Sequence, residues 1–239
     1  MKKHATFLCI PFMGLCLFLY FSCIKPPKDF DPRDGNNVYT GCRVKSINGI
    51  SFAYNKNNDP VSYIHDNVGT GNPNLFFKYD SRGKLTEFAA LYDNGSYEFL
   101  HRYTYNQQKI VVDTAYFFGA YGVPASYAFK RISYPAYDNL NRIVQDSVVQ
   151  NGQFTITHYY YHADGNLFNG FTYDDKLNPH RTNKIWMFVD RDYSVNNPVP
   201  AATYNSSGLP LTYPAKNGFD LVFAYFTHYG ATSITYDCR

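Results

Sequence analysis

A tyrosine followed by Asp or Asn, then by Gly or Asn three or four residues on, and then by an aliphatic residue, recurs along most of this chain. Its fullest form is Tyr79-Asp80-Ser81-Arg82-Gly83-Lys84-Leu85. Related forms are Tyr54-Asn55 with Asp59-Pro60-Val61, Tyr105-Asn106 with Lys109-Ile110, and Tyr137-Asp138-Asn139-Leu140-Asn141-Arg142-Ile143. Tyr161-His162-Ala163-Asp164-Gly165-Asn166-Leu167, Tyr173-Asp174 with Leu177, and Tyr204-Asn205-Ser206-Ser207-Gly208-Leu209 complete the series. The tyrosines are separated by 25, 26, 32, 24, 12 and 31 residues. Spacing of that order marks a repeat architecture rather than a conventional sandwich.

The phrase has a physical reading. Its Tyr ends an apolar-alternating strand such as Phe77-Lys78-Tyr79. The Asp or Asn side chain then bonds nearby backbone and turns the chain. Gly or Asn takes the positive φ of a hairpin loop, and the aliphatic residue opens the return strand. Second hairpins lie between the phrases, at Asp93-Asn94-Gly95-Ser96 and Asn151-Gly152. Aromatic residues make up 19% of the chain, a usage that suits strands. After the N-terminal segment, no stretch keeps apolar residues at helical spacing for three turns. The expectation is an all-β protein, an antiparallel meander of hairpins forming a curved or twisted open sheet.

Y-D-x-x-G-x-L resembles the YD (RHS-like) repeat, and the resemblance spans roughly Arg43 to Tyr236. Tyr79–Leu85 matches closely, whereas Tyr137–Ile143, Tyr161–Leu167 and Tyr204–Leu209 match in part. In large YD-repeat proteins the strands coil into a shell around a cargo polypeptide. Seven degenerate units are too few for a shell, so the resemblance implies an open or partly rolled sheet.

The N-terminus reads as an export signal. Lys2 and Lys3 precede an uncharged, largely apolar run from Ala5 to Phe21, and polar sequence rich in Pro and Asp follows Cys23. The run holds Pro11 and Gly14 and is about 17 residues long, marginal for the roughly 20 of a spanning helix. Ser22-Cys23 resembles the lipobox of bacterial lipoproteins, with Tyr20 where that box usually has Leu. A chain with a lipobox before YD-like repeats is similar to lipoproteins common in Bacteroidetes. The resemblance implies residues 1–22 as signal peptide, acylation such as palmitate on Cys23, 23–41 as a polar tether and 42–239 as the β domain. It also implies anchoring to the cell envelope, at the outer membrane, through the lipid. The competing reading is an uncleaved anchor helix.

Removal of the signal takes two Lys and leaves 20 basic against 19 acidic side chains, with no basic block. A nucleic-acid partner, which needs a concentrated basic face, is not expected. Cys9 and Cys16 leave with the signal and Cys23 takes lipid, so Cys42 and Cys238 remain. In an exported protein they form a disulfide tying the two ends of the domain or remain separate buried thiols.

Motifs that carry chemistry are sparse. His158 and His162 stand about 13 Å apart on an extended strand, too far for one zinc. Asp174-Asp175 and Asp190-Arg191-Asp192 lack the Gly and distal Glu of a calcium loop. No nucleophile elbow is present, and Glu87 and Glu98 are the only glutamates, so no cofactor, metal or catalytic residue is expected. Tyrosines at alternate strand positions, Tyr103 with Tyr105 and Tyr159 with Tyr161, read as a ligand platform with Trp186 as its anchor, or as rings that stack to cement a thin sheet. Asp113-Thr114-Ala115 and Asp146-Ser147-Val148 resemble the D-[S/T]-apolar sequon for O-glycosylation at Thr114 and Ser147. The expectation is a non-enzymatic envelope protein that binds a glycan, a peptide or another envelope protein. Its competitors are a carbohydrate-active or proteolytic enzyme and an accessory or immunity protein of a secreted toxin system. Convergent Asp and His side chains in a pocket would favour the enzyme, and a flat aromatic face would favour binding.

Overall fold

Hairpins account for nearly all of the computed structural model, which describes residues 31–198, 203–213 and 232–239. The signal segment and Cys23 lie outside the described residues. In chain order the strands are β1 (Cys42–Ile47), β2 (Ile50–Tyr54), β3 (Pro60–Tyr63), β4 (Asn74–Tyr79) and β5 (Leu85–Leu91). They continue as β6 (Ser96–Asn106), β7 (Lys109–Ala120), β8 (Phe129–Tyr137), β9 (Ile143–Gln150) and β10 (Gln153–His158). The last are β11 (Tyr173–Leu177), β12 (Asn196–Pro198), β13 (Thr203–Tyr204), β14 (Pro210–Tyr213) and β15 (Thr232–Cys238). Thirteen form one open sheet ordered β10-β9-β8-β7-β6-β5-β4-β3-β2-β1-β15-β14-β13, and β11 pairs with β12. The all-β antiparallel reading therefore holds. Up to β10 every strand pairs with its neighbours in sequence, and β15 then returns to cover the edge that β1 would leave open. There Cys42 faces Cys238 and the two are disulfide-bonded.

One turn chemistry recurs between the strands. Asp80 Oδ1 accepts from the backbone N–H of Arg82 (2.9 Å) and Lys84 (2.8 Å), with Gly83 at φ +76°. Asn55 does the same for Asn57 and Asp59, Asp138 for Leu140 and Arg142, and Asn205 for Ser207 and Leu209. The strand register slips at Ala53/Tyr54, Lys78/Tyr79, Thr104/Tyr105 and Ala136/Tyr137, so a bulge sits at each of these tyrosines. The tyrosine hydroxyls reach across to earlier hairpins. Tyr79 donates to Pro60 O (2.7 Å), Tyr137 to Ile110 O (3.0 Å), Tyr161 to Ile143 O (3.3 Å) and Tyr236 to Pro210 O (2.7 Å). Each carbonyl belongs to the first or second residue of a return strand, so these tyrosines fasten one hairpin to another.

One face of the sheet carries the core, and a short helix covers it. A 3-10 turn at Pro179–Thr182 leads into α1 (Lys184–Asp190). Asn178 and Asn183 cap the two pieces, accepting from His180 N (2.9 Å) and Ile185 N (2.9 Å). Ile185 through Val189 are all buried, against Phe52, Phe77, Phe88 and other strand residues. Seven residues make two turns, too few for a three-turn periodicity, and a segment apolar on every side shows no amphipathic stripe. The polar stretch read as a tether is fastened to the domain from Asp31 onward. Gly35 N donates to Leu140 O (2.7 Å), Tyr39 N to Arg181 O (2.7 Å), and the buried Arg181 guanidinium to Asp34 O (2.9 Å) and Pro32 O. No helix among the described residues is long and apolar enough to cross a membrane.

Candidate functional site

Most inward positions on the helix-covered face hold apolar or aromatic side chains. On β6 to β9 several are polar. His101 on β6 and Asp113 on β7 are both 4% exposed at the side chain, and Asp146 on β9 is 9% exposed. Cross-strand register aligns them: Asp113 faces Tyr103 on one side and Ser133 on the other, Ser133 faces Val148, and Asp146 faces Thr157 on β10.

A cation from the helix completes the group. Arg191 caps α1 in a left-handed conformation, φ +57°, where cations complement the helix C-terminus. Its Nη2 donates to Asp113 Oδ2 at 3.0 Å, its Nε to Asp146 Oδ2 at 3.2 Å and its Nη1 to Phe188 O. The guanidinium lies 4.2 Å from the centroid of the Phe188 ring. The other oxygen of Asp113 is 2.8 Å from His101 Nδ1. A buried charge needs this much pairing, because desolvation penalises it heavily.

The environments separate the two carboxyls. Burial pushes Asp113 upward, but His101, Arg191 and Arg131 outweigh it and hold the group below its ordinary value. Burial dominates at Asp146, where Arg191 only partly offsets it and the Asp113 charge adds to the rise, so this carboxyl lies above its ordinary value. Burial also opposes the Arg191 charge, yet Asp113 and Asp146 together raise its pKa.

These groups line a cavity of about 230 Å³ between β6–β10 and the end of α1, with Tyr103, Thr157, Tyr159 and Arg131 in its walls. Two buried polar atoms of the lining, Asp146 Oδ1 and Arg131 Nε, have no hydrogen-bond partner among the described residues. An acceptor and a donor are thus available to a ligand. Drug-sized ligands occupy roughly 300–1,000 Å³, so this volume suits one ring rather than an extended molecule.

The structure sends the residues read as a platform to different places. Tyr103 and Tyr159 both line the cavity, Tyr103 also meeting Phe188 edge-on at 5.3 Å. Tyr105 and Tyr161 pack against the core, and Tyr161 lies under the Arg142 guanidinium at 4.2 Å. Trp186 is 1% exposed, with ring centroids 5.0 Å from Phe52 and 5.9 Å from Phe77, and offers no surface to a ligand. Its bulk fills the space between α1 and the sheet. Thr114 and Ser147 are half-buried in central strands, paired with Arg102 and Ile132 and with Tyr134 and Ile156. By strand alternation they face away from the cavity that their neighbours Asp113 and Asp146 enter. His158 stacks on Tyr160 and His162 meets Phe168 edge-on, so the two histidines serve different rings. Asp190 pairs with buried His180 at 2.5 Å, and Asp192 accepts from Ser194 N at 2.8 Å.

His101, Arg131, Ser133 and Arg191 were not singled out from the sequence, and Asp113 and Asp146 entered only as neighbours of Thr114 and Ser147. A signal for the two acids exists: each stands at an inward position of an aliphatic strand, Ile110-Val111-Val112-Asp113 and Ile143-Val144-Gln145-Asp146, where Asp is disfavoured. No known protein family and no curated protein matches the chain.

Proposed function

We propose that this is a lipid-anchored cell-envelope protein whose sheet is a non-enzymatic binding module built from YD-type hairpins, holding one sugar unit of a glycan in the cavity beside Arg191. The observation that carries the reading is the pair of buried, unpartnered atoms Asp146 Oδ1 and Arg131 Nε in a ring-sized polar cavity. Neighbouring sugar hydroxyls donate to the first and accept from the second, and Tyr103 and Tyr159 give a ring amphipathic walls. The repeated Asx turns and the tyrosine hydroxyls that join hairpin to hairpin support the repeat reading. Anchoring rests on the signal-like N-terminus and Cys23.

Glycan-array screening of the full-length chain in detergent, followed by calorimetry, tests the binding. A hydrogen bond to a charged group contributes about 1.5–3 kcal/mol, so Asp146→Asn should weaken the sugar roughly 10- to 150-fold. Absence of any glycan ligand, or unchanged affinity in the variant, removes the reading. A second reading, acid–base cleavage of a glycosidic bond, is favoured by the two carboxyls with opposite pKa directions. Both are drawn onto one guanidinium, however, rather than set across a substrate bond. Release of reducing sugar from a bound oligosaccharide, abolished by Asp146→Asn, would select it. For the anchor, Cys23→Ser should release the protein from membranes, and unaltered fractionation would refute the lipid site.

A further inference from the structure

A second cavity, of about 380 Å³, lies against strands β6 and β7 and is lined by Leu100, Arg102 and Tyr116. On β6 these positions alternate with His101 and Tyr103, which places this cavity on the sheet face opposite the first. One wall is the segment between β7 and β8, where Val123 and Tyr127 remain exposed.

That wall is built into the fold. Tyr97 Oη donates to Ser126 O at 2.5 Å, Ser126 Oγ accepts from Ala120 N at 3.0 Å, and Ala128 N donates to Phe117 O at 2.9 Å. The segment approaches β7 so closely that a Cβ on Gly119 would stand 1.7 Å from Ser126 O and 2.4 Å from Tyr97 Oη. A groove held this way needs little ordering when a ligand enters.

Its chemistry is aromatic and cationic. The Tyr116 and Tyr127 rings lie 5.1 Å apart, and Arg102 stands 5.9 Å from the Tyr116 centroid. Arg102 and Lys130 are the charged residues of the lining. The nearby carboxylate, Glu87, is shared between Arg102 at 3.5 Å and Lys78 at 3.4 Å, and it also accepts from Tyr121 Oη at 2.5 Å. Lys130 has no ion pair among the described residues. Two cations thus share one acid while Lys130 stands apart from it, and the groove has a surplus of positive charge beside two tyrosine rings.

We propose that this groove is a separate binding site for an acidic glycan, one carboxylated sugar ring packing on Tyr116 and Tyr127 with its carboxylate between Arg102 and Lys130. The apolar face of a pyranose matches the tyrosines, and the cations supply the charge complement that a neutral sugar would leave unused.

The test uses the full-length chain in detergent and a labelled oligogalacturonate, with an oligoglutamate and a neutral oligoglucan as controls. Oligogalacturonate should bind above both controls and weaken when NaCl rises from about 50 to about 300 mM. Lys130→Gln and Tyr127→Ala should each weaken it roughly tenfold or more, while Asp146→Asn leaves it unchanged. Retention of this binding in Asp146→Asn, whatever that variant does to other sugars, separates this site from the cavity beside Arg191. The proposal is overturned if oligogalacturonate does not bind, if oligoglutamate binds equally well, or if both groove variants bind like the parent.

Discussion

Arg191→Met is the most informative single perturbation of the fold. The side chain is 14% exposed and holds Asp113 at 3.0 Å and Asp146 at 3.2 Å, so its removal takes the cation from two buried carboxyls, leaving Asp113 with His101, while the helix end still packs above them. Breaking a buried pair by deleting one partner costs about 3–5 kcal/mol. For a domain of this size each kcal/mol moves the melting temperature by about 2–4 °C, which predicts a drop of roughly 6–20 °C at pH 7. The pH dependence follows from the direction of the shifts. Without the guanidinium both carboxyls lose a charge that favours ionisation, so Asp146, already above its ordinary value, rises further, and Asp113 rises from its depressed value while keeping His101 and Arg131. A carboxyl raised in the fold destabilises above that pKa and stops doing so once it is protonated. The deficit should therefore be largest near pH 7 and shrink below about pH 5. Thermal and urea unfolding followed by circular dichroism, at neutral and acid pH, measures it. A deficit below about 1 kcal/mol, the range of exposed ion pairs, or one identical at both pH values, would falsify the buried-triad argument.

Three further perturbations probe other parts of the fold. Replacing Cys42 and Cys238 by Ser opens a loop of sequence separation 196, and the chain-entropy model gives about 5 kcal/mol, with measured values commonly 2–5; a melting temperature insensitive to reductant would show that the bridge stabilises nothing. Tyr79→Phe leaves Pro60 O without its 2.7 Å donor, so a loss of about 1–3 kcal/mol is expected in urea unfolding, and Tyr160→Phe, an exposed ring, serves as the control that should change little. Burial of His180 works against its charge, but Asp190 and Asp192 outweigh that and raise its pKa. This stabilisation is complete below the unfolded value of about 6.5 and is lost as pH rises through the folded one; Asp190→Asn should flatten that decline, and an unchanged pH profile would contradict it.

Local chemistry made much of the fold legible. Alternating strands and Asx turns involve residues two to six apart, so Tyr79–Leu85 and Tyr137–Ile143 announce their hairpins without knowledge of anything distant. For Cys42 and Cys238 the sequence offers a bridge or two thiols, since the pairing of β1 with β15 that joins them is a property of the whole sheet. The helix carries no sequence signal because its five central residues, Ile185 to Val189, are apolar on every side and are helical only where Asn183 caps them and the sheet covers them.

The recurring tyrosines show where that division falls. Sequence by itself determined that the chain is a meander of antiparallel hairpins with a Tyr recurring at strand ends such as β2, β4 and β8, because side-chain period and turn bonding are set within a few residues. Tertiary structure alone decided which rings serve the core and which line a cavity: Trp186 went inside, and Tyr103 and Tyr159 met over a polar pocket. It also decided the chemistry of that pocket, since Arg191 meets Asp146 across 45 residues and Asp113 across 78. Such contacts exist only where folding brings β7, β9 and the end of α1 together, and no local pattern records that.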